Sequence, residues 1–364
     1  MPRLPAAFSA LLLLAGCGAI PPQGRTPFQP TEAMREILSE RASMHAKEAS
    51  DISLQEARDV PSLVEAAHAI LNVQGLPAPG IEISQFNQPS ASGAAGAIGA
   101  ILYRPVLAKN TPVIVFFPGG TWATRRDADA DETARQLAMR SGWIVVTLRP
   151  RLAPDATFPA IHDDAIVAYQ WARGQMRGWG GDPTRVVLAG EGPGANLALS
   201  TALDARDHHL PLPDELVLIT PWAGTSTSGP SMSENGRSRP LTRATVRWAQ
   251  NLYAPDSLRD KRIDLENRMD LAGMPKTLFV LADIDPLRSG AEMLAGRMQQ
   301  AGVPVDVRRY SGVTYDFFGL GAYVPTAAAA ETDVARILKA DLQRELPPLP
   351  VRRPARISRS RARR

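Results

Sequence analysis

The chain has 364 residues, 44% of them hydrophobic and 21% charged, which excludes a disordered or fibrous polymer and allows one large core or two smaller ones. Its net charge of +4 sits at one end: residues 351–364 (VRRPARISRSRARR) hold seven arginines and no acid, leaving −3 on residues 1–350. A basic tail is not a basic fold face, so no nucleic-acid partner is expected.

At the start of the chain, Arg3 precedes an apolar run from Ala6 to Ala15 and then Gly16-Cys17-Gly18. A basic start, a short apolar stretch and small residues at a cleavage point read as a secretory signal, too short to span a bilayer. Leu14-Ala15-Gly16-Cys17 resembles a bacterial lipobox, whose cysteine becomes the lipidated first residue of the mature protein. The alternative is a buried thiol on a short core helix. The reading is therefore a signal over 1–16 and a membrane anchor at Cys17, the sole cysteine. A Pro/Gly-rich tether over 17–30 follows, on a protein of the bacterial envelope facing the periplasm. Gly18, rather than Asp, follows the cysteine and favours the outer membrane. No other stretch reaches 18 consecutive apolar residues.

Helical patterning follows over 31–72, through Met34, Ile37, Leu38, Leu63, Val64, Ala67 and Leu71. Strands are predicted at Ile81–Phe86, Ala97–Tyr103, Val113–Phe117, Trp143–Leu148, Arg185–Ala189, Leu216–Thr220, Thr277–Ala282 and Val305–Tyr310. Helices are predicted between or after them at 129–141, 160–178, 195–206, 241–253, 289–301 and 327–344. This alternation predicts an α/β class, with a mostly parallel sheet covered by helices on both faces. One domain spans 31–346, with a helical cap from 31–75 and about 222–270. The Arg-rich end over 347–364 reads as a disordered tail.

The motifs become specific from residue 118 onward. Pro118-Gly119-Gly120 follows the third strand. Arg151-Leu152-Ala153-Pro154, Phe158-Pro159-Ala160 and Asp163-Asp164 form one block, and Gly180-Gly181-Asp182-Pro183 leads into the fifth strand. Then come Ser228-Gly229-Pro230-Ser231-Met232 with Asn235, Asp285-Pro286-Leu287-Arg288, and Gly312-Val313-Thr314-Tyr315-Asp316-Phe317-Phe318-Gly319. In their order over some 220 residues these resemble the hormone-sensitive-lipase-like (family IV) esterases and lipases, which have the α/β-hydrolase fold.

The resemblance implies a serine on a sharp strand-to-helix elbow, a histidine base, an orienting acid and backbone N–H donors for an oxyanion. At the elbow the chain reads Gly190-Glu191-Gly192-Pro193-Gly194. Gly192 stands where the nucleophile is expected and has no side chain to attack with. Glu191 is one residue off and should point elsewhere. Pro193 removes the N–H that would donate to the oxyanion. Tyr315 stands where the histidine is expected, and a phenol with pKa near 10 is a poor base at neutral pH. Gly119 and Gly120 remain of the oxyanion loop, without its leading histidine and third glycine.

Asp285 matches the acid position. It is read first as a loop residue bonding its own backbone beside Pro286, and second as a retained triad member. None of the five histidines falls at the base position, and His162 reads as structural or exposed. No cofactor or metal site is implied.

Three functions are compatible with this pattern. The first is a non-catalytic lipoprotein, a pseudoenzyme whose cleft or cap binds a small apolar ligand or an envelope protein. The second is an ester hydrolase with relocated catalytic groups, although no second G-x-S-x-G occurs. The third is an envelope organiser whose Arg tail meets anionic lipid, with a merely solubilising tail as the alternative.

Overall fold

A computed structural model describes residues 28–75, 78–88 and 98–342. The signal, Cys17, most of the tether and the Arg-rich tail lie outside the described residues. Eight strands form one sheet: β1 (Ile81–Gln88), β2 (Ile98–Pro105), β3 (Thr111–Phe117), β4 (Ile144–Arg149), β5 (Gly181–Glu191), β6 (Glu215–Ile219), β7 (Lys276–Ile284) and β8 (Val305–Thr314). Their order is β1-β2-β4-β3-β5-β6-β7-β8. β1 pairs antiparallel with β2 and β2 with β4, while β4, β3 and β5 through β8 are all parallel. Each of the eight strands expected from the β-branched runs forms.

The alternation of side chains along the central strands splits the core into two layers. Val113, Val115, Phe117, Leu188 and Leu218 face one layer, where α5 (Ala160–Gln175), α6 (Pro193–Asp207) and α9 (Arg288–Gln300) pack. Ile114, Phe116, Val187, Ala189 and Val217 face the other, under α4 (Asp127–Ser141) and α10 (Pro325–Leu342). The central strands are therefore buried on both faces, which is why they read as near-continuous apolar runs. The helix expected over 160–178 stops at Gln175, ahead of Gly178, Gly180 and Gly181, with Gly180 at φ +86°.

The segment predicted as an N-terminal cap is partly core. It folds as α1 (Glu32–Ser43), α2 (Leu54–Asp59) and α3 (Leu63–Leu71). Met34, Ile37, Leu63, Val64 and Ala66 are fully buried in the same layer as Ile114 and Phe116. Capping boxes at Ser53/Glu56 and Ser62/Glu65 start α2 and α3, each contributing about 1 kcal/mol to helix stability. What lies over the strand ends is the turn between α1 and α2. Glu48 there accepts from Thr242, Thr245 and Arg239, beside α8 (Arg243–Tyr253). The second expected cap segment, 222–270, is likewise anchored: Trp222, Ile263 and Leu265 belong to the core layer of α5 and α6. It carries α7 (Pro230–Asn235) and α8.

Candidate active-site cleft

Gly192 joins β5 to α6 with φ +52° and ψ −120°, a conformation that an L side chain adopts under strain. The elbow is tight on both sides. A Cβ on Gly190 would come within 2.1 Å of the Gly194 carbonyl oxygen, and one on Gly194 within 2.1 Å of the Phe117 carbonyl oxygen. Pro193 occupies the first turn of α6, where its missing N–H and fixed φ suit a helix start.

Tyr315 follows β8 and is 1% exposed. A Cβ built on Gly192 would lie 1.9 Å from the Tyr315 hydroxyl oxygen and 3.0 Å from Cζ. The phenol thus fills the space that a side chain at 192 would need. Its hydroxyl donates to the Gly120 carbonyl oxygen at 3.0 Å. Burial, then the charges of Asp316, Asp285 and Glu191, push its pKa well above 10, so it stays protonated and serves as a donor. Gly120, at φ +122°, directs its carbonyl oxygen to the Tyr315 hydroxyl.

Asp285 follows β7 and is 1% exposed. Its Oδ1 accepts the Leu287 N–H at 2.8 Å, the local bond expected beside Pro286. Burial pushes its carboxyl up to about 7, opposed by that bond and by Arg288. At these positions the chain offers no hydroxyl nucleophile, no imidazole and no N–H on residue 193.

His162 is buried and structural. Its Nδ1 lies 2.5 Å from the Tyr253 hydroxyl, while Nε2 faces two acceptors, Asn196 Oδ1 at 3.2 Å and the Arg262 carbonyl at 3.1 Å. Two acceptors at Nε2 assign the proton there and leave Nδ1 to accept from Tyr253. Burial lowers its pKa to about 4, so the ring is neutral. Trp122 stacks on Tyr253 at 4.1 Å and on His162 at 5.8 Å, closing this side of the cleft. The RLAP and DD motifs meet here too: Arg151 Nε pairs with Asp164 Oδ2 at 2.7 Å, and Asp164 is fully buried.

Sequence reasoning missed the other side. Glu191 points away from residue 192 and under Gly119, whose Cβ would lie 3.1 Å from Glu191 Cγ. With Asp316, Asp129, Arg41, Lys47 and Arg126 it lines a cavity of about 90 Å³ beneath the turn from α1 to α2. Burial, then the charges of Asp316 and Asp129, raise the Glu191 carboxyl well above its usual range. Burial and the charges of Asp129 and Asp285 do the same to Asp316. Asp129 is pushed up to about 6 by burial, and its Oδ1 is buried without a hydrogen-bond partner among the described residues. These acids are ordinary helix, strand-end and loop residues in the sequence, and no local pattern marks their convergence.

The comparisons agree with this architecture. A family model described as alpha/beta hydrolase fold matches residues 114–319. The carboxylic ester hydrolase LipN of Mycobacterium tuberculosis is 31% identical over 297 residues, covering 79% of this chain and 78% of that protein. The gibberellin receptor of Oryza sativa is 26% identical over 257 residues, 66% of this chain and 72% of that protein. A thermostable esterase from Pseudomonas putida superimposes with a TM-score of 0.78 at 25% identity, covering 88% of this chain and 99% of that one.

Proposed function

The chain belongs to the alpha/beta hydrolase fold family, and from that premise we propose that it is a non-hydrolytic member, a pseudoenzyme that binds a ligand. One observation carries the reading: the Tyr315 hydroxyl occupies the place of a side chain on residue 192 and bonds the Gly120 carbonyl. A nucleophile, a base and an oxyanion donor are each separately needed, and loss of one such donor alone costs roughly 2.7–4 kcal/mol of transition-state stabilisation. The pocket lined by Arg41, Lys47, Glu191 and Asp316 is the proposed ligand site, and its charges favour a small polar molecule. The likeness to a protein named as a receptor supports binding as a use of this fold.

A second reading, an ester hydrolase with relocated catalytic groups, is favoured by relatives named as ester hydrolases. Treatment of the purified protein with a fluorophosphonate and with short p-nitrophenyl esters separates the two. The proposal expects no labelling and no turnover above heat-denatured protein; stoichiometric labelling of any serine overturns it. We also propose that the mature protein is held at a bacterial membrane, with the outer membrane favoured, by a lipidated Cys17.

A further inference from the structure

A second cavity, of about 210 Å³, lies beside the loop that carries Asp285 and shares no lining residue with the cavity of Arg41, Glu191 and Asp316. Its inner wall is Glu266, in the single turn Leu265–Asn267, 3% exposed. The backbone around this carboxylate is bare. A Cβ on Gly224 would lie 2.1 Å from Glu266 Cδ, and one on Gly290 would lie 2.4 Å from Oε2. Two glycines therefore make room for the side chain.

Its bonding is incomplete. Oε1 accepts the Ser226 N–H at 3.2 Å. Oε2, against Gly290, has no hydrogen-bond donor among the described residues, and no cation pairs with Glu266 among them. The neighbouring hydroxyls do not supply the missing donor. Ser231 Oγ donates to the Pro286 carbonyl at 2.8 Å, which leaves Ser289 to donate to Ser231 Oγ at 2.8 Å. Arg297 acts on this carboxylate only from beyond ion-pair distance, and burial, then the charge of Asp264, raise it above its usual range against the Ser226 N–H and Arg297. The rest of the cavity is mostly apolar, with Ala223, Met232 and Leu287 buried and Met293 at the rim, 41% exposed.

We propose that this cavity is a binding site for a small organic ammonium ion, with the cationic nitrogen donating to Glu266 Oε2 and the apolar body lying against Met232, Leu287 and Met293. The polarisable methionine sulfurs suit an adaptable apolar contact. An organic cation fits better than a metal ion because the carboxylate stands alone: among the described residues no three His, Cys, Asp or Glu side chains form a ligand cluster. The cavity is smaller than the 300–1,000 Å³ or so of drug-sized sites, which limits the ligand to a compact amine. The proposal does not depend on whether the Gly192 cleft is catalytic.

The test is calorimetry at pH 8 on the full-length protein with cyclohexylammonium chloride and its neutral counterpart, cyclohexanol. The ammonium is expected to bind at least about tenfold more tightly, because a charge-assisted bond is stronger than a neutral one. Glu266→Gln keeps the shape and should lower ammonium affinity at least about tenfold while leaving cyclohexanol unchanged. Met293→Trp, at the exposed rim, should weaken both probes without altering thermal stability, and it serves if Glu266→Gln fails to fold. Equal binding of the two probes to the native protein overturns the proposal. So does unchanged ammonium affinity in a folded Glu266→Gln, or undiminished binding of both probes in Met293→Trp.

Discussion

Gly192 at the elbow and Tyr315 after β8 are coupled in space. Gly192→Ser alone places its Cβ on the Tyr315 hydroxyl, so the single variant should be destabilised by about 1–3 kcal/mol, as overpacked cores are. Tyr315→His shortens the side chain and opens the same space. Gly192→Ser with Tyr315→His should therefore be more stable than the sum of the single variants, by about 0.5–3 kcal/mol in a double-mutant cycle of urea unfolding. An additive cycle would mean that Tyr315 relaxes freely away from residue 192. Ester hydrolysis should be absent in the single variant, marginal in the double and measurable once Pro193→Ala restores an N–H, a step expected to contribute about a hundred- to thousandfold. The sequence showed which residue stands at each position. That the phenol fills the missing side chain's place was not legible, because residues 192 and 315 are brought together by strand order.

At the scale of elements, α6 is fixed by one side chain in its first turn. Asn196 Nδ2 donates to the Trp222 carbonyl at 2.9 Å and the Ile263 carbonyl at 2.8 Å, while its Oδ1 faces His162 Nε2 of α5. One amide thus ties two helices to the 222–263 segment in a site where it is 1% exposed. Asn196→Ala leaves two buried carbonyls without that donor, and folding stability should fall by roughly 3 kcal/mol. An unchanged urea midpoint would show that water or backbone movement replaces the amide. The strands and helices were legible because apolar periodicity is local. The split of 31–72 into helices built into the core was less so, since Met34 and Leu63 read as one face of a cap until the sheet supplies what they pack against.

Over the whole molecule, buried ionisable groups set the pH response. Glu215, 1% exposed at the start of β6, has both carboxylate oxygens buried beside Asp341. Burial, then the charge of Asp341, push it up to about 8, with Lys276 opposing and Asp306 adding. Asp285, near 7, behaves alike. Each raised carboxyl keeps in the folded state a proton that the unfolded chain loses near pH 4, so stability falls as pH rises toward the folded value. His162 acts in the other direction, but only between about 6.5 and 4, where the unfolded chain gains the proton first. From pH 6.5 to 8.5 the carboxyls therefore prevail, and the thermal midpoint should drop. Glu215→Gln should raise the midpoint at pH 8.5, have a smaller effect at pH 5 and flatten the profile. A wild-type midpoint that is flat or rises over that range contradicts this account. The proposed anchor has its own check: mass spectrometry of the membrane fraction should find diacylglycerol on an N-terminal Cys17, and a mature chain that keeps residues 1–16 refutes it.

What the sequence determined by itself was the fold and the residue types at its signature positions. Alternating strands and helices require a parallel sheet covered on both faces, and the ordered motifs place Gly192, Pro193, Asp285 and Tyr315 at its carboxyl edge. The alternation follows from local periodicity and the placement from the family resemblance of the motifs, both of which the chain carries whatever it packs against. The tertiary structure decided what fills the space beside Gly192 and which charges meet near it. Tyr315 comes to Gly192 because β8 carries it to the same edge of the sheet as β5, where its hydroxyl bonds the Gly120 carbonyl. Asp129, Glu191 and Asp316 converge from α4, β5 and the end of β8, and Glu266 lies against Gly224 and Gly290 from distant segments. Such contacts join residues tens to hundreds of positions apart, and only the order and pairing of the strands fixes which of them meet.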